Sequence, residues 1–383
     1  MVAAYRAGAS LREVAKDFNE TKSTVGRWVA HAQGKRLNRI DFYDKPSGTR
    51  QPKNKSPRKL EKRVLQFRKY LKDKSILGLH GAAAIREEMK RRGDTTIPAK
   101  STISNILKRN GRVDNRTRIR RPAPPPGWYL PDLVKQKVEL DTFDIVEGLY
   151  IHGGQEVQFL NGLSLHGNLL HSMAMSTVTT ENTILALIQH WQQFGLPKYV
   201  QFDNDLVFQG SRMPNVIGKV IRLCLSLKVI PVFTTPYAQG FQGKIERFNG
   251  EIQEKFWQRR TFKNIKEIEK HLSEYVQAHR LARQEKILSA PRRRAFPKRW
   301  KREDDRPLSG TIIYLRRTDE TGRIKLLGRD FLVSKDWLHR LVRAEVDLDA
   351  GKVRFFSLRR ADWKVQRLLK TMALRLTKKK IGE

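Results

Sequence analysis

The stretch Tyr199-Val200-Gln201-Phe202-Asp203-Asn204-Asp205 decides the fold, because it is a short apolar β-strand that ends on an acidic residue. Before it, residues 180–194 have the apolar spacing of a helix, which Gly195 and Pro197 end. After it, a helix is predicted over 216–227 and a strand over 229–233. Strands that alternate with helices are typical of an α/β sheet.

Further elements extend this pattern in both directions. Strands are predicted over 138–145, 156–160 and 163–175, and a helix is predicted from Lys244 to about Gln258 after a Gly-rich loop. The resulting order is β-β-β-α-β-α-β-α. It predicts a central α/β domain over residues 131–285, with a mixed sheet covered by helices.

The charge of the chain is strongly uneven. The formal net charge is +38, yet residues 128–255 hold 10 Lys/Arg and 12 Asp/Glu, against 23 and 6 in residues 50–125. Such an excess predicts an anionic partner, with nucleic acid favoured over a membrane because no run of about 18 apolar residues is present. The single cysteine, Cys224, excludes an internal disulfide and a cysteine-based zinc cluster. An intracellular, reducing compartment fits.

Residues 1–34 are predicted to form a helix-turn-helix unit. Ser10 and Glu13 have the spacing of a capping box, and a second helix follows the turn at 19–21. The helix before this pair would span only 1–7, so we expect the chain to begin inside the domain. In this motif the second helix enters the DNA major groove. The predicted DNA contacts are Lys22, Ser23, Thr24 and Arg27.

A linker over 35–56 and a second helix-turn-helix unit over 57–112 are predicted next. Its helices are expected over 60–71, 82–92 and 101–109. A solvated basic helix face is the alternative interpretation of its cations. The predicted DNA contacts are Lys100, Ser101, Thr102, Lys108 and Arg109. A basic, Pro-rich linker over 113–130 then leads to the central domain.

The C-terminal part is predicted to be a basic linker, a small β-barrel and a basic tail. The linker covers 286–308 and includes Arg292, Arg293 and Arg294. Four strands, over 310–317, 323–333, 341–348 and 353–358, indicate a barrel within 309–365. The tail, 366–383, is expected to be mobile.

Three carboxylates occupy related positions in the central domain. Asp141 lies in the first strand, Asp203 ends the fourth, and Glu246 lies in the first turn of the next helix. Ligand sites of open α/β sheets lie at strand ends, and clustered carboxylates need cations. Two Mg²⁺ ions, roughly 3.5–4 Å apart, would suit a phosphodiester reaction there, with Mn²⁺ as a substitute.

The first carboxylate has an alternative. Asp144 is three residues after Asp141, so the two point to opposite faces of the strand and only one should join the site. We choose Asp141 because it directly follows the apolar first half of the strand. Asp205 is the corresponding alternative to Asp203.

Asp203-Asn204 after a short strand, and Glu246-Arg247-Phe248-Asn249 after a Gly-containing loop, resemble the DDE transposases with a retroviral-integrase-type, ribonuclease-H-like core. The interval of 43 positions (246 − 203) is within that family's range. The tandem helix-turn-helix units resemble those of bacterial insertion-sequence transposases. The sequence departs from the family at Asp205, where Gly is common, and at Gln253, where Lys or Arg is common.

The resemblance implies Mg²⁺-dependent DNA 3′-end cleavage and strand transfer. It implies Asp141, Asp203 and Glu246 as metal ligands, DNA contacts at Lys244 and Arg247, and a homo-oligomer on paired transposon ends in the bacterial cytoplasm, at the nucleoid. Three alternatives stay open: a non-catalytic DNA-binding regulator, an inactive transposase relic, and a nuclease that only hydrolyses nucleic acid.

Overall fold

The computed structural model describes residues 1–43, 55–113, 124–210, 216–236, 240–303 and 307–374. The chain divides into two compact units, Met1–Pro57 and Arg58–Glu383. Several predicted features lie outside the described residues: the linker residues Pro46, Gly48 and Pro52, the basic run 116–121 with Pro122, and Lys378, Lys379 and Lys380.

The first unit contains three short helices, α1 (Val2–Arg6), α2 (Leu11–Asp17) and α3 (Lys22–Ala32). The predicted capping box is confirmed, because the backbone N–H of Glu13 donates to Ser10 Oγ and that of Ser10 donates to the Glu13 carboxylate. Val14 and Val25 are fully buried between the helices. A 3₁₀ turn, Leu37–Arg39, follows.

The second unit begins with three more helices, α4 (Arg58–Lys74), α5 (Ala82–Arg91) and α6 (Lys100–Arg109). All three were predicted, and α4 is longer than expected. Their apolar stripes meet in a small core that includes Val64, Ile85 and Ile103. Arg259, in the central domain, donates to the carbonyls of Ser75 and Lys72 at 2.8 Å each. This bond fastens the end of α4 to the central domain.

The rest of the unit is built on one nine-stranded sheet of order β11-β10-β9-β6-β5-β4-β1-β2-β3. Strands are present at the predicted positions 138–145, 156–160, 199–202 and 229–233, and the strand Tyr199–Phe202 has the predicted bounds. The strand predicted over 163–175 is instead interrupted at residues 165–169. The strands are β1 (Leu140–Tyr150), β2 (Glu156–Ser164), β3 (Leu170–Met175), β4 (Tyr199–Phe202), β5 (Ile230–Phe233), β6 (Thr311–Arg317), β7 (Arg323–Leu326), β8 (Arg329–Leu332), β9 (Leu341–Asp347), β10 (Lys352–Leu358) and β11 (Leu368–Ala373).

Helices cover both faces of the sheet. They are α7 (Pro131–Val134), α8 (Thr180–Phe194), α9 (Leu206–Gln209), α10 (Lys219–Ser226), α11 (Gly243–Ile252), α12 (Ile265–Leu281) and α13 (Gln284–Ser289). Helices α8 and α10 bury apolar side chains against one face, and α11 and α12 against the other. A π-helical turn, Gln253–Trp257, continues α11. None of the described helices is both long and apolar enough to cross a membrane.

The predicted separate small barrel is not confirmed, because its strands extend the central sheet. β6 pairs in parallel with β5 through Val232↔Ile313 and Phe233↔Tyr314, and β9, β10 and β11 follow in antiparallel order. The predicted strand over 323–333 is the hairpin β7–β8, which pairs only with itself among the described strands. Without β6, β5 would be an open edge with unpaired N–H and C=O groups.

Two further expectations for the C-terminal part need correction. The basic segment after α13 is not a free linker: Arg294 pairs with Leu196 through backbone hydrogen bonds, and Phe296 and Trp300 pack on the core. The tail is not mobile at its start, because β11 pairs with β10. In both places, apolar residues that lie between Lys and Arg residues pack against the rest of the protein, which the charge pattern alone did not indicate.

Candidate active site

The sheet places Asp144 and Asp203 side by side. Strands β1 and β4 are parallel, with Asp141 opposite Val200 and Thr142 opposite Gln201. Continued by two residues, this register sets Asp144 level with Asp203, on adjacent strands that lie about 4.8 Å apart. Both belong to the face on which Leu140 and Val146 pack, since alternate residues of a strand share a face.

Helix α11 covers this same face and carries Glu246. Its Asn249 donates from Nδ2 to Asp144 Oδ2 at 2.7 Å, and accepts at Oδ1 from Asn161 Nδ2 at 2.9 Å. Ser172 Oγ donates to Asn161 Oδ1. This chain of hydrogen bonds runs from β3 through β2 to α11 and fixes the Asp144 carboxylate. Glu246 is exposed in the first turn of α11, one turn before Asn249.

The electrostatics agree with a cluster of acids. Burial, with the negative charges of Asp203 and Glu246, raises the pKa of Asp144 to about 7, although the Asn249 amide opposes this. Burial also raises the pKa of Asp203, and the charges of Asp205 and Glu147 add to the effect.

The structure places Asp141, the aspartate chosen from the sequence, outside this cluster. It lies on the opposite face, is 0 % exposed, and accepts from Arg293 Nη1 at 2.9 Å and from Trp191 Nε1 at 3.1 Å. Burial opposes ionisation, but the Arg293 guanidinium holds the pKa of Asp141 well below its usual range. The predicted opposition of the two aspartates is confirmed. The sequence pattern did not reveal that α11 covers the face of Asp144.

The donor set fits a hard divalent cation. Asp144, Asp203 and Glu246 offer carboxylate oxygens, which Mg²⁺ prefers as ligands. The pKa values of the two aspartates are raised, and a bound cation would lower them. Over the described ranges, no three His, Cys, Asp or Glu side chains already stand close enough together to ligate one ion.

Three residues near the cluster have partners of their own. Asp205 caps α9 by accepting from the Val207 backbone N–H at 2.8 Å, and its own N–H donates to Asp203 Oδ1 at 3.0 Å. Lys244, predicted to contact DNA, donates to the Leu165 carbonyl and to Asn168 Oδ1. Burial lowers the pKa of Lys244 to about 8. Arg247 is exposed and pairs with Glu251 at 3.2 Å.

The remaining predicted DNA contacts lie on α3 and α6. Lys22, Ser23 and Arg27 are exposed, and the hydroxyls of Ser23 and Thr24 contact the capping Thr21 Oγ1 at 2.9 Å each. On α6, Arg109 is paired with Glu61 of α4. The other predicted contacts lie on the first and last turns of α6, where Lys100, Ser101 and Lys108 are exposed and Thr102 is half-buried.

No family model matches the chain. Solved structures that resemble it include the catalytic core domain of BIV integrase (18% identity, TM-score 0.27, covering 36% of this chain and 80% of that one). Another is the simian T-cell lymphotropic virus intasome in complex with the PP2A regulatory subunit B56 gamma (16%, 0.34, covering 77% and 99%). A third is the HTLV-2 integrase catalytic core domain in complex with magnesium (15%, 0.28, covering 36% and 82%). At TM-scores below 0.5, these likenesses establish neither the fold nor the function of this chain.

Proposed function

We propose that this protein is a DNA transposase of the DDE type, in which Asp144, Asp203 and Glu246 hold Mg²⁺. The observation that carries the proposal is their shared position. The β1–β4 register sets two aspartates level at one strand end, and the Asn249–Asp144 hydrogen bond holds the helix of Glu246 against the same face. Three acids at one end of a sheet are the arrangement expected for metal-assisted phosphoryl transfer.

The bound ions would supply positive charge to the phosphate and to the attacking and leaving oxygens. The residues of the chain position the carboxylates. Asn249 orients the carboxylate of Asp144, and the Asp205 N–H orients that of Asp203. Both hydrogen bonds favour the ionised form of their acid, which is the form that binds a cation.

The proposed reaction has two steps. In cleavage, a water oxygen bonds to phosphorus while the P–O3′ bond breaks, which leaves a 3′-hydroxyl and a 5′-phosphate. In strand transfer, that 3′-hydroxyl oxygen attacks a phosphodiester of the target, and the target's own 3′-oxygen leaves with a proton. One P–O bond forms and one breaks in each step, so no external energy source is required.

Two helical surfaces are proposed to hold the transposon ends. Helix α3 follows α2 after a short turn, and α6 follows α5 after residues 92–99. Each of α3 and α6 presents Lys, Ser and Thr residues at its first turn. The net charge of +38 supports a polyanionic partner. Assembly as a homo-oligomer on two ends, at the bacterial nucleoid, completes the proposal.

Cleavage of duplexes that carry the DNA flanking the native reading frame tests the proposal. With Mg²⁺ or Mn²⁺, we expect 3′-hydroxyl ends and joined products. Asp144→Asn, Asp203→Asn and Glu246→Gln should each lower the rate by roughly 10²-fold or more. Asp205→Asn is the matched control, because asparagine also caps helices and this carboxylate lies outside the proposed set.

The products separate the alternatives. Specific DNA binding without cleavage in either metal would support a non-catalytic regulator or relic instead. Cleaved ends that never join to a target would support a nuclease. Full activity of Asp144→Asn with loss of activity in Asp205→Asn would refute the assignment of the ligands.

A further inference from the structure

A buried arginine from the C-terminal strands lies behind the candidate site. Arg316, on β6, is 9% exposed. Its Nη1 donates to the carbonyls of Thr234 at 2.9 Å and Leu315 at 2.8 Å, and its Nη2 donates to Asn204 Oδ1 at 3.0 Å. Its guanidinium also lies over the Tyr314 ring, 5.0 Å from the centroid.

The charge of Arg316 is unusual for its place. Among the described residues, no carboxylate lies within ion-pair distance of it, and burial lowers its pKa to about 10. A buried cation held only by neutral oxygens costs stability compared with an apolar side chain of similar size. By contrast, Arg293 and Arg343, the other deeply placed arginines of this region, have the carboxylates of Asp141 and Glu345.

The hydrogen bonds of Arg316 end on both halves of the proposed site. Asn204 directly follows Asp203, and Thr234 directly follows β5 and begins the loop that leads to α11 and Glu246. Asn204 Nδ2 also donates to the Thr234 carbonyl, at 2.8 Å. Arg316, Asn204 and Thr234 therefore form a closed triangle that ties the end of β4 to the end of β5.

We propose that Arg316 is a positioning residue for the proposed DNA reaction: through Asn204 and Thr234 it fixes Asp203 relative to the end of β5, the strand that precedes α11 and its Glu246. The inference rests on the proposed function for its catalytic meaning. It makes the C-terminal strands part of the active-site framework, since the guanidinium that joins the two acidic segments comes from β6.

The experiment compares Arg316→Met, Arg316→Lys and the control Arg343→Met. Arg343 is also buried on a C-terminal strand, and its Nη1 donates to the Tyr129 carbonyl at 2.7 Å, so its loss costs packing and hydrogen bonds without touching Asn204 or Thr234. The first readout is hydrogen–deuterium exchange of full-length protein. We expect faster exchange in the peptides covering 203–209 and 233–236 for Arg316→Met, and no such change for Arg343→Met.

The second readout is the Mg²⁺ concentration that gives half-maximal cleavage. Groups that orient metal ligands typically contribute roughly 10- to 100-fold to metal affinity or activity. We expect Arg316→Met to raise this concentration by about 10-fold or more, Arg316→Lys to recover part of the loss, and the DNA dissociation constant to stay within about 2-fold.

The outcomes are distinct. Equal exchange of the two segments in Arg316→Met and Arg343→Met would overturn the positioning role, whatever the activity. An unchanged Mg²⁺ requirement in an active Arg316→Met protein would overturn it as well. A wild-type protein that never cleaves DNA would sink the proposed function, and the exchange experiment would still decide whether Arg316 holds the two segments.

Discussion

Breaking the buried ion pair between Asp141 and Arg293 should destabilise the protein more than any change at the candidate site. The Asp141 side chain is fully buried and that of Arg293 is 13% exposed. Loss of one partner leaves the other as an uncompensated buried charge, which costs about 3–5 kcal/mol. At about 1.4 kcal/mol per tenfold, the folded-to-unfolded ratio should fall by roughly two to four orders of magnitude.

Urea unfolding of Arg293→Met and Asp141→Asn measures this cost. Trp191 donates to the Asp141 carboxylate, so its fluorescence reports on the pair, and circular dichroism reports on the whole chain. Arg294→Met is the matched control: Arg294 is an exposed residue whose guanidinium donates to the backbone carbonyls of Leu227 and Lys228, so about 1–2 kcal/mol or less is expected. Replacing both partners, Asp141→Leu with Arg293→Met, should recover most of the loss because no buried charge remains.

The pH dependence has a definite sign. The folded-state pKa of Asp141 is lowered, so the pair contributes stability above the unfolded-state pKa of about 4 and loses it as the pH falls. Asp141→Asn should lack this acid-range loss. If Arg293→Met were as mild as Arg294→Met, or if Asp141→Asn kept its stability but lost its response to Mg²⁺, the structural role of Asp141 would be refuted.

Three further predictions concern the site, the DNA surface and the sheet. Because the folded-state pKa of Asp144 is raised to about 7, the stability of the metal-free protein should fall as the pH rises from about 4 to 7. The rise in melting temperature that Mn²⁺ causes should therefore grow over pH 6–8 in the wild type but not in Asp144→Asn. A wild-type response that does not change with pH would contradict this. Lys108→Ala should weaken binding to all duplexes alike and reduce the slope of log K against log salt by about 1 in fluorescence anisotropy, and an unchanged slope would remove Lys108 from the interface. Gly162→Ala should cost about 1–3 kcal/mol in urea unfolding, because its Cβ would lie 2.3 Å from the Phe143 ring, whereas Gly250→Ala, with open space around it, should be neutral or stabilising.

The central fold was predictable where local signals were strong. Helix α8 and strand β4 have the predicted bounds. A capping residue, an apolar stripe and Gly195 define helix α8, and a short apolar run defines strand β4. Helix α12 was missed although its signals are present: Asn264 accepts from the Glu267 backbone N–H, and Ile268, Leu272 and Tyr275 follow at helical spacing.

The site was only half predictable. A period of two shows that Asp141 and Asp144 face opposite ways, but not which face receives α11, since that depends on where a helix a hundred residues later packs. The buried partner of Asp141, Arg293, lies in a run of arginines whose other members are exposed. Likewise, the apolar run Ile312–Leu315 of β6 suits a free barrel and an extension of the sheet equally well, so Arg316, the second-last residue of that strand, carried no readable signal.

The continuity between β5 and β6 limits how this protein can be dissected. A fragment ending before Thr311 would expose the ladder groups of β5, whose side chains Pro231, Val232 and Phe233 are buried. An unpaired sheet edge of this kind can pair with strands of other molecules, so an isolated central domain should self-associate and precipitate. Biochemists who trim the chain to a minimal enzyme should therefore keep the strands through β11, and complementation by a separately expressed C-terminal piece becomes a practical route to a split, inducible version.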